Sequence, residues 1–513
     1  MKSLLLIYPP LAKNCEPPAG IARLAGTLRA SNVNCTTVDL NWQGLQYLLG
    51  LDCLPADTWS SRAKKQLNAN IAALQNQNLY TSFDRYKRAV ADINRVLAGV
   101  GKADNIELSL ANYQDRTSPV QSIDLIEAAE QYAENIFFPL FSNFLADRID
   151  SSSPDIIGIS ITYLSQAVSS FALIGFLRVR FPGVKIVIGG GLVTSWMRGP
   201  FWSDPFHGLV DECIAGPGEA PLLALLAEES CQLVHAAPEY DRQEYLSPVP
   251  VLPYAASTGC YWNKCLFCPE TAEDNPYTAF STKQVLADLD ILLKRNQYGL
   301  LHFLDNALSP ALMQALAKNP PGVPWYSFAR ASSLLAAEDF CRELRNSGCV
   351  MLKLGLESGD QQVLDKMEKG IELPMVSQVL RSLRAAGIMT YVYLLFGTPS
   401  EDEASAIKTM EFTARHHKEI SFLNLAVFNL PHSGPEAGSL SLKEFYAGDL
   451  SLYSDFIHPK GWNRQKIRTF LSRKFKRHPL ITPIIRRDPP VFTSNHAPFF
   501  YSSFFANSLP LER

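Results

Sequence analysis

The sequence lacks any apolar run approaching the roughly 20 residues that a membrane-spanning helix needs. Its first apolar stretch, residues 3–8, is too short for the core of a signal peptide and has no cleavage site after it, so it predicts a strand. An excess of charge is also missing: the net charge is −3 over 513 residues, which excludes a global basic field for nucleic acid or lipid. We therefore expect a soluble cytoplasmic protein without a nucleic-acid partner.

Cysteine is scarce as well, and ten residues in a chain of this length do not make a disulfide scaffold. Seven are scattered, as small buried hydrophobic residues commonly are. These seven are Cys15, Cys35, Cys53, Cys213, Cys231, Cys341 and Cys349. The other three, Cys260, Cys265 and Cys268, lie together in the segment STGCYWNKCLFCPE. A closed metal site takes four protein ligands, so three cysteines at ligand spacing indicate a site with an open position.

The length exceeds what one hydrophobic core supports and predicts two or three domains. Within residues 1–235, near-continuous apolar strands alternate with helical patterns, which is typical of a parallel, doubly wound (Rossmann-like) sheet covered on both faces. The predicted strands are SLLLIY (3–8), CTTVDL (35–40), IIGISIT (156–162), KIVIGG (185–190) and LVDECIAG (209–216). Residues 51–150 are polar and mostly helical in period, and we interpret them as an insertion between the second and third strands.

A proline-rich join near residue 250 leads to a second series of six strand–helix repeats over residues 245–430. Its predicted strands are PYAAST (253–258), LLHFLD (300–305), WYSFARA (325–331), VMLKLGL (350–356), TYVYLLFG (390–397) and SFLNLAVF (421–428). Six such repeats predict a (βα)6 partial barrel, in which the active site lies at the C-terminal ends of the strands. The three-cysteine segment directly follows the first strand, so its position also indicates a functional site.

Residues 431–513 predict a C-terminal extension that is mostly helical or irregular. Its basic stretch, Asn463 to His478, is typical either of a solvated helix face or of a binding patch for an acidic partner. The aromatic segment FTSNHAPFFYSSFF (492–505) is too apolar for a solvated tail, and we expect it to pack back on the body of the protein.

Three thiolates on a four-iron cluster leave one iron without a protein ligand, open to a small molecule. The cysteine segment resembles that of the radical S-adenosylmethionine (SAM) enzymes, including an aromatic residue, Phe267, beside the third cysteine. The resemblance implies that Cys260, Cys265 and Cys268 bind a 4Fe-4S cluster and that SAM chelates the fourth iron. It also implies an electron donor such as flavodoxin or ferredoxin, whose electron cleaves SAM to a 5′-deoxyadenosyl radical. The commoner spacing in the family has three residues between the first two cysteines, whereas this chain has four.

Two other interpretations of the cysteines stay open. Plant-type ferredoxins use the same spacing but complete the cluster with a fourth cysteine, and the next one along this chain is Cys341. A structural zinc also needs a fourth ligand, for which His302 is the nearest downstream histidine.

The resemblance extends along the barrel to residues at the C-terminal ends of three more strands. Four of them match positions at which the family contacts SAM: Arg330 and Ser332 in FARASSL, Glu357 in LGLESGDQQ, and Gly397 in YLLFGTPSE. The implied roles are to hold the carboxylate and ribose of SAM, to accept a hydrogen bond from its ribose or ammonium group, and to let the backbone approach the adenine. A carboxylate in the position of Glu357 is also typical of a helix N-terminus.

A doubly wound domain placed before such a barrel resembles the cobalamin (vitamin B12)-binding-domain-containing radical SAM enzymes, as do the segments YPPLAKNCEPPAGIARLAGTLRA, PDIIGISIT, KIVIGGG and AGPGEAPLLALL. Doubly wound sheets bind ligands at the carboxyl ends of their strands. Eight residues fall at those ends and are the candidate cobalamin contacts: Pro9, Pro10, Ser160, Thr162, Gly189, Gly190, Gly191 and Glu219. Each glycine by itself is equally typical of a tight turn.

One more candidate contact departs from a known pattern. Cobalamin domains of the methionine synthase type carry D-x-H-x-x-G, whose histidine binds cobalt; the segment DLNWQG keeps Asp39 and Gly44 but has Asn41 in place of the histidine. An amide nitrogen has no free lone pair for cobalt. The segment therefore predicts base-off cobalamin without a histidine ligand.

These features together predict a radical SAM enzyme, and more specifically a cobalamin-dependent methyltransferase that acts on an unactivated carbon. Two alternatives stay open: a cobalamin-assisted rearrangement or cyclisation without methyl transfer, and a non-catalytic iron–sulfur protein that carries electrons or senses redox state. The sequence does not choose among a small molecule, a lipid and a peptide as substrate. Tyr391, Tyr393, Asn424 and Asn429 lie on late strands, where such residues are typical of barrel core and also of a substrate pocket.

Overall fold

The structure is a computed structural model, and it describes residues 2–52, 57–200, 202–226, 233–241, 244–443, 445, 447–488 and 496–502. Cys53, Cys231 and part of the aromatic segment (492–495 and 503–505) lie outside the described residues. The chain forms two compact units. The first comprises Met1–Pro250, Tyr446–Leu452 and Pro490–Ser494, and the second comprises Val251–Phe445, Tyr453–Pro489 and Asn495–Arg513. Within the described ranges, no helix is both long and apolar enough to cross a membrane.

The first unit is built on a five-stranded parallel sheet. The strands of this unit are β1 (Ser3–Tyr8), β2 (Asn34–Asp39), β3 (Glu107–Ser109), β4 (Asn112–Gln114), β5 (Ile156–Ser160), β6 (Lys185–Gly189) and β7 (Glu212–Cys213). Its helices are α1 (Ala19–Ala30), α2 (Leu40–Gly50), α3 (Thr58–Lys65), α4 (Leu67–Leu74), α5 (Phe83–Gly101), α6 (Ser122–Glu130), α7 (Phe138–Leu140), α8 (Ala146–Ser152), α9 (Leu164–Arg180), α10 (Gly191–Met197) and α11 (Glu219–Leu226). The strand order β2-β1-β5-β6-β7 confirms the doubly wound prediction. Its switch point, where such folds bind ligands, lies between β1 and β5.

Helices on both faces of this sheet explain why its strands are near-continuous apolar runs. On one face, Leu4 and Leu6 of β1 join a buried cluster with Ile21 and Leu28 of α1 and Leu222 of α11. Burying one aliphatic side chain of this kind contributes about 1.5–3 kcal/mol, so the strands are held mainly by these helices.

The segment predicted as a helical insertion contains α3 to α8 and also an antiparallel hairpin, β3–β4, that the sequence analysis did not predict. Its longest helix, α5, buries Tyr86, Val90, Ile93 and Leu97 at helical spacing. The Ser82 side chain caps this helix by accepting a hydrogen bond from the Arg85 N–H. The periodic pattern therefore placed the helices correctly, whereas strands of three residues are too short to show alternation.

The second unit is built on a six-stranded parallel sheet. The strands of this unit are β8 (Val251–Tyr254), β9 (Ser257–Thr258), β10 (Thr278–Ala279), β11 (Leu300–Phe303), β12 (Trp325–Ala329), β13 (Cys349–Glu357), β14 (Met389–Phe396), β15 (Phe422–Val427), β16 (Leu430–Pro431), β17 (Leu442–Lys443) and β18 (Tyr453–Phe456). Its helices are α12 (Pro269–Ala272), α13 (Thr282–Arg295), α14 (Pro310–Lys318), α15 (Ser333–Ala336), α16 (Glu338–Asn346), α17 (Gln361–Lys366), α18 (Leu373–Ala385), α19 (Glu403–Arg415), α20 (Arg464–Arg473) and α21 (Thr482–Arg487). The order β8-β11-β12-β13-β14-β15 confirms the predicted (βα)6 partial barrel.

Part of the C-terminal segment packs on this barrel. Phe470 and Phe475 place their rings 6.2 and 5.5 Å from the ring of Phe396 at the end of β14. The imidazole of His496 lies 4.5 Å from the Tyr391 ring, so the described part of the aromatic segment does pack back on the body, as predicted. The segment also contributes β16, β17 and β18 to antiparallel pairings, which a mostly helical or irregular extension did not anticipate.

A buried carboxyl holds the turn after β14 to the C-terminal segment. Glu401 is 0% exposed, and its Oε2 accepts hydrogen bonds from the Gly397 N–H and, at 2.9 Å, from the Trp462 Nε1–H. Its Oε1 is buried and has no hydrogen-bond partner among the described residues. Burial without a cation partner raises the pKa of Glu401 to about 7. The turn therefore carries a carboxyl that titrates near neutral pH.

Gly190, between β6 and α10, occupies a backbone conformation that only glycine adopts readily, with φ 102° and ψ 177°. A Cβ there would lie 2.5 Å from the Ile161 carbonyl oxygen. We expect Gly190→Ala to lower the free energy of unfolding by at least about 3 kcal/mol, since strain and overpacking add. Gly208→Ala is the matched control because Gly208 also has positive φ (90°), but a Cβ there would have no atom within 4 Å. Urea denaturation compares the two, and equal losses would contradict the steric argument.

Replacing Glu401 should remove a pH-dependent loss of stability. A carboxyl with a pKa of about 7 in the folded chain and about 4.3 in the unfolded chain binds its proton more tightly when folded. This contribution is complete below about pH 4 and is lost as the pH rises through 7, which costs about 4 kcal/mol in total. Glu401→Gln accepts both hydrogen bonds without charge, so its unfolding free energy should fall less between pH 5 and 8 than that of the wild type.

The control for this prediction is Glu403→Gln, because the Glu403 side chain is about half exposed and paired with Lys474. Urea unfolding midpoints at a series of pH values measure the slopes. Identical slopes for the wild type and Glu401→Gln would contradict the assignment of this pKa.

Candidate functional site

The three predicted cluster cysteines lie on a loop at the C-terminal end of the first barrel strand. Gly259, with φ 69°, turns the chain into the loop, and a Cβ on it would lie 2.6 Å from the Pro276 carbonyl oxygen. Cys268 ends the loop: its N–H donates to the Cys265 carbonyl at 3.1 Å, and its own carbonyl accepts the first hydrogen bonds of α12. The loop is therefore a compact turn with defined backbone hydrogen bonds.

Two polar residues after β11 hold the base of this loop. Asp305 is buried and accepts hydrogen bonds from the Ala256 N–H at 3.0 Å and from the Ser257 hydroxyl. The Asn306 side-chain amide donates to the Gly259 carbonyl at 3.2 Å. Burial raises the pKa of Asp305. These residues fix where the loop starts.

The thiols of the loop lie close enough to influence one another's ionisation. Cys265 is buried, Cys260 and Cys268 are partly exposed, and the charges of Cys260 and Cys268 each interact with Cys265. Burial raises the pKa of Cys265, which nearby Lys369 and Arg330 lower in part, and burial raises the pKa of Cys268 to about 11. Metals bind thiolates rather than thiols. A bound metal would therefore have to offset the free-energy cost of deprotonating thiols whose pKa is raised by burial.

Among the described residues, no three histidine, cysteine or acidic side chains converge on one point as the ligands of a single ion do. A cluster with several irons does not require such convergence, because each thiolate binds a different iron atom. The donor set of three thiols and neighbouring cations therefore fits an iron–sulfur cluster.

A buried ion pair lies beside the thiols. Glu357 is the last residue of β13, has φ 66°, and accepts a hydrogen bond from Lys369 Nζ at 2.8 Å, with side chains 12% and 8% exposed. The Lys369 ammonium lies 5.3 Å from the centre of the Phe267 ring. Gly355 leaves room for the pair, since a Cβ there would lie 2.5 Å from the carboxylate of Glu357. The sequence analysis missed Lys369, which follows a helical, polar segment and looked solvated.

The remaining predicted SAM residues fall on the same strand ends of the barrel. Ser332 precedes α15. Its hydroxyl is buried and has no hydrogen-bond partner in the part of the chain that is described. Buried polar groups usually have a partner, so this hydroxyl is a candidate to bind a polar ligand. Arg330 also contacts protein groups: it donates to the Lys369 carbonyl, and its Nη1 lies 4.0 Å from Cys265 Sγ. Gly397, with φ 89°, leaves space that Ile467 fills, because a Cβ there would lie 2.4 Å from Ile467 Cδ1.

The residues predicted to line a substrate pocket divide between core and surface. Tyr391 and Tyr393 pack ring against ring at 4.8 Å inside the barrel, and Asn424 hydrogen-bonds Tyr391. Asn429 accepts a hydrogen bond from Arg464. A cavity of about 330 Å³ lies at the ends of β14 and β15. It is lined by Gly397, Val427 and Phe428 at these strand ends and by residues of the C-terminal segment, including Arg464.

In the first unit, the predicted residues at the ends of β1, β5 and β6 come together. The Gln166 side chain of α9 donates to the Pro9 carbonyl at 2.7 Å and accepts from the Thr162 N–H at 2.9 Å, and Ser169 donates to the Pro10 carbonyl. Ser160 ends β5 opposite Gly189 of β6, which Gly190 and Gly191 follow. The edge therefore consists of prolines, small hydroxyl residues and glycines at the switch point, where doubly wound sheets bind ligands.

Two predicted cobalamin contacts are already engaged within this unit. Asn41 is 2% exposed; its Oδ1 accepts from the Ala12 N–H at 2.7 Å, and its Nδ2 donates to Asn14 Oδ1 at 3.0 Å. Glu219 forms an ion pair with Arg23 at 2.5 Å. Both side chains therefore form hydrogen bonds or an ion pair within the unit, at the edge where the cobalamin contacts are predicted.

The barrel region matches a known family. Residues 254–413 match the model of the Radical SAM superfamily. The hopanoid C-3 methylase of Methylococcus capsulatus is 22% identical over 346 residues, covering 61% of this chain and 65% of that protein. The anaerobic magnesium-protoporphyrin IX monomethyl ester cyclase of Rubrivivax gelatinosus is 22% identical over 323 residues, covering 53% of this chain and 57% of that protein. The matches thus span less than two thirds of either relative.

Two solved structures share the fold along most of the chain. The radical SAM methyltransferase TsrM from Kitasatospora setae, solved with cobalamin and a 4Fe-4S cluster, has a TM-score of 0.52 at 13% identity and covers 86% of this chain and 78% of its own. The cobalamin-dependent SAM radical enzyme OxsB, solved with aqua-cobalamin, has a TM-score of 0.55 at 13% identity and covers 92% of this chain and 67% of its own. Residues 254–413 therefore match the Radical SAM superfamily, and most of the chain shares the fold of TsrM and OxsB.

Proposed function

We propose that the chain is a radical SAM enzyme and, specifically, a cobalamin-dependent methyltransferase that acts on an unactivated carbon. The observation that carries the proposal is the grouping of three free thiols at the C-terminal end of the first barrel strand, beside the buried pair of Glu357 and Lys369. When bound, the cluster supplies the electron that cleaves SAM, and cobalamin supplies the methyl group.

The residues of the barrel have separate roles in this proposal. Cys260, Cys265 and Cys268 bind three irons of the cluster and leave the fourth open to SAM. Glu357 accepts a hydrogen bond from the ammonium or ribose of SAM. A carboxylate is suited to this role because charge-assisted hydrogen bonds are stronger than neutral ones. The Ser332 hydroxyl, which is buried and has no hydrogen-bond partner among the described residues, hydrogen-bonds the same ligand. The cavity at the ends of β14 and β15 is our candidate for the substrate pocket.

We further propose that the edge formed by Pro9, Pro10, Ser160, Thr162 and Gly189 to Gly191 binds cobalamin. Asn41 carries no imidazole and its amide is engaged by Ala12 and Asn14, which supports base-off binding without a histidine ligand. The enzyme needs an external reductant such as flavodoxin or ferredoxin. A cytoplasmic location fits its free thiols, which a reducing compartment preserves.

A second candidate function is a cobalamin-assisted rearrangement or cyclisation without methyl transfer. It is favoured by the similarity to the magnesium-protoporphyrin IX monomethyl ester cyclase of Rubrivivax gelatinosus. Formation of S-adenosylhomocysteine together with 5′-deoxyadenosine distinguishes methyl transfer, whereas a cyclase forms 5′-deoxyadenosine alone.

Alanine at any of the three loop cysteines should prevent stable cluster assembly. After anaerobic reconstitution, we expect about four irons and four sulfides per wild-type chain. Cys260→Ala, Cys265→Ala and Cys268→Ala should bind substantially less iron and form no detectable 5′-deoxyadenosine from SAM and dithionite. Cys213→Ala, a partly exposed cysteine of the first unit, is the control and should match the wild type. Full iron content in any of the loop variants would overturn the ligand assignment.

Cobalamin bound by the chain should lack an axial nitrogen ligand from the protein. The electron paramagnetic resonance spectrum of the cobalt(II) form should therefore show no superhyperfine splitting from a histidine nitrogen. Splitting by one nitrogen that disappears when a histidine of the chain is replaced would contradict the base-off, histidine-free mode.

A further inference from the structure

The interval between Cys260 and Cys265 contains Trp262, whose side chain ties the cysteine loop to residues 368–370. Its indole Nε1–H donates to the Glu368 carbonyl at 3.0 Å. The indole ring covers Gly370, where a Cβ would lie 1.9 Å from ring atom Cζ2. Gly370 also has φ 64°, so this position needs glycine for two reasons. The cysteine loop is thus anchored to residues 368–370 through the Trp262 side chain.

Arg330 joins the same two segments from the other side. The carbon of its guanidinium lies 4.2 Å from the centre of the Trp262 ring, a cation–π contact. Its Nη2 donates to the carbonyl of Lys369 and, at 3.4 Å, to that of Gly370. Its Nη1 lies 4.0 Å from Cys265 Sγ. One planar cation therefore touches the indole, the 368–370 segment and a thiol.

A backbone contact completes the attachment. The Leu266 N–H, next to Cys265, donates to the Met367 carbonyl at 3.1 Å. The middle of the loop is consequently held at three points by residues 367–370, which also carry Lys369 and its ion pair with Glu357.

From this geometry we infer that Trp262 and Arg330 are positioning residues for the cluster: Trp262 locks the longer cysteine loop onto residues 368–370, and Arg330 acts on the Cys265 sulfur. The inference replaces the role that the family resemblance implied for Arg330, contact with the carboxylate of SAM. The role of Arg330 at the cluster rests on the proposed function, whereas the anchoring of the loop by Trp262 does not.

The contact with sulfur has a direct consequence for redox chemistry. Reduction adds negative charge to a cluster, and hydrogen bonds and positive charge at its cysteine sulfurs stabilise that form. Arg330 should therefore raise the midpoint potential of the cluster. A residue that only contacts SAM would leave the potential of the SAM-free cluster unchanged.

The loop part of the inference is tested on the apoprotein, by measuring alkylation rates of the individual cysteines with iodoacetamide and mass spectrometry. In Trp262→Ala, iodoacetamide should alkylate Cys265 at least about tenfold faster than in the wild type. The loop of the variant opens without breaking the indole hydrogen bond and the cation–π contact. Cys349, which is 0% exposed in β13 of the same unit, reports global unfolding. Trp59→Phe, at a tryptophan that is 62% exposed, is the control and should leave the rate unchanged. An unchanged Cys265 rate in Trp262→Ala would overturn the anchoring role.

The redox part is tested on reconstituted protein by titration of the midpoint potential and of SAM affinity. Arg330→Gln should shift the potential to more negative values and change the Kd for SAM by less than about twofold. Arg330→Lys, which keeps the charge, should restore part of the shift. Arg342→Gln, at an exposed arginine paired with Glu338 and Asp339, is the control. A weaker SAM affinity at an unchanged potential would overturn the inference and return Arg330 to the SAM site.

The two experiments separate the inference from the proposed function. A wild-type chain that binds no cluster refutes the proposed function and the redox role together, while the alkylation rates still decide whether Trp262 anchors the loop. A wild-type chain with a cluster whose potential is the same in Arg330→Gln refutes the redox role alone.

Discussion

Parallel strands place their carboxyl ends at one edge of a sheet, and in each unit this constraint decides where the ligand-binding candidates collect. In the barrel, β8 leads into the three-cysteine loop and β13 ends at Glu357. In the first unit, β5 and β6 end at Ser160 and Gly189. Residues far apart in the chain therefore meet because neighbouring parallel strands end at the same edge of the sheet, and the loops that follow them carry the candidate side chains.

Buried charge is the second recurrent feature, and its energetics differ between two places in the barrel unit. Glu357 has Lys369 at 2.8 Å, so its charge is compensated at the cost of desolvating both partners. Glu401 has only neutral donors, from Gly397 and Trp462, and its pKa therefore rises to about 7. The paired carboxylate lies beside the thiols and Lys369, whereas the carboxyl of Glu401 holds the turn after β14.

The pattern of the sequence was sufficient to predict both sheets, because burial on two faces demands near-continuous apolar strands. It also singled out the three cysteines as candidate ligands, because ligand spacing is local. Strand order was not predictable, because the sequence of a strand does not indicate which other strand pairs with it. Lys369 and Trp262 were missed for a similar reason: each is defined by a partner, Glu357 or Gly370, that is distant in the chain. Such residues have no local signal that separates them from a solvated lysine or a core tryptophan.

Arg330 and Asn41 show that a match to a motif does not determine the direction of a side chain. Both stand where a motif expected a ligand contact, yet Arg330 is directed at Cys265 and Lys369, and Asn41 at Ala12 and Asn14. A motif fixes the place of a residue on a strand or loop, but the direction of its side chain depends on the neighbours that compete for its donors and acceptors. In both cases a nearby backbone group supplied the competing partner.

The central claim is that one iron of a four-iron cluster on this chain has no protein ligand. Mössbauer spectroscopy of protein reconstituted with iron-57 tests it most directly, because each iron reports its own ligands. We predict that SAM changes the isomer shift of about one quarter of the iron and leaves the rest as it was. A spectrum in which no iron responds to SAM would contradict the account, as would a purified protein that holds zinc at the three cysteines.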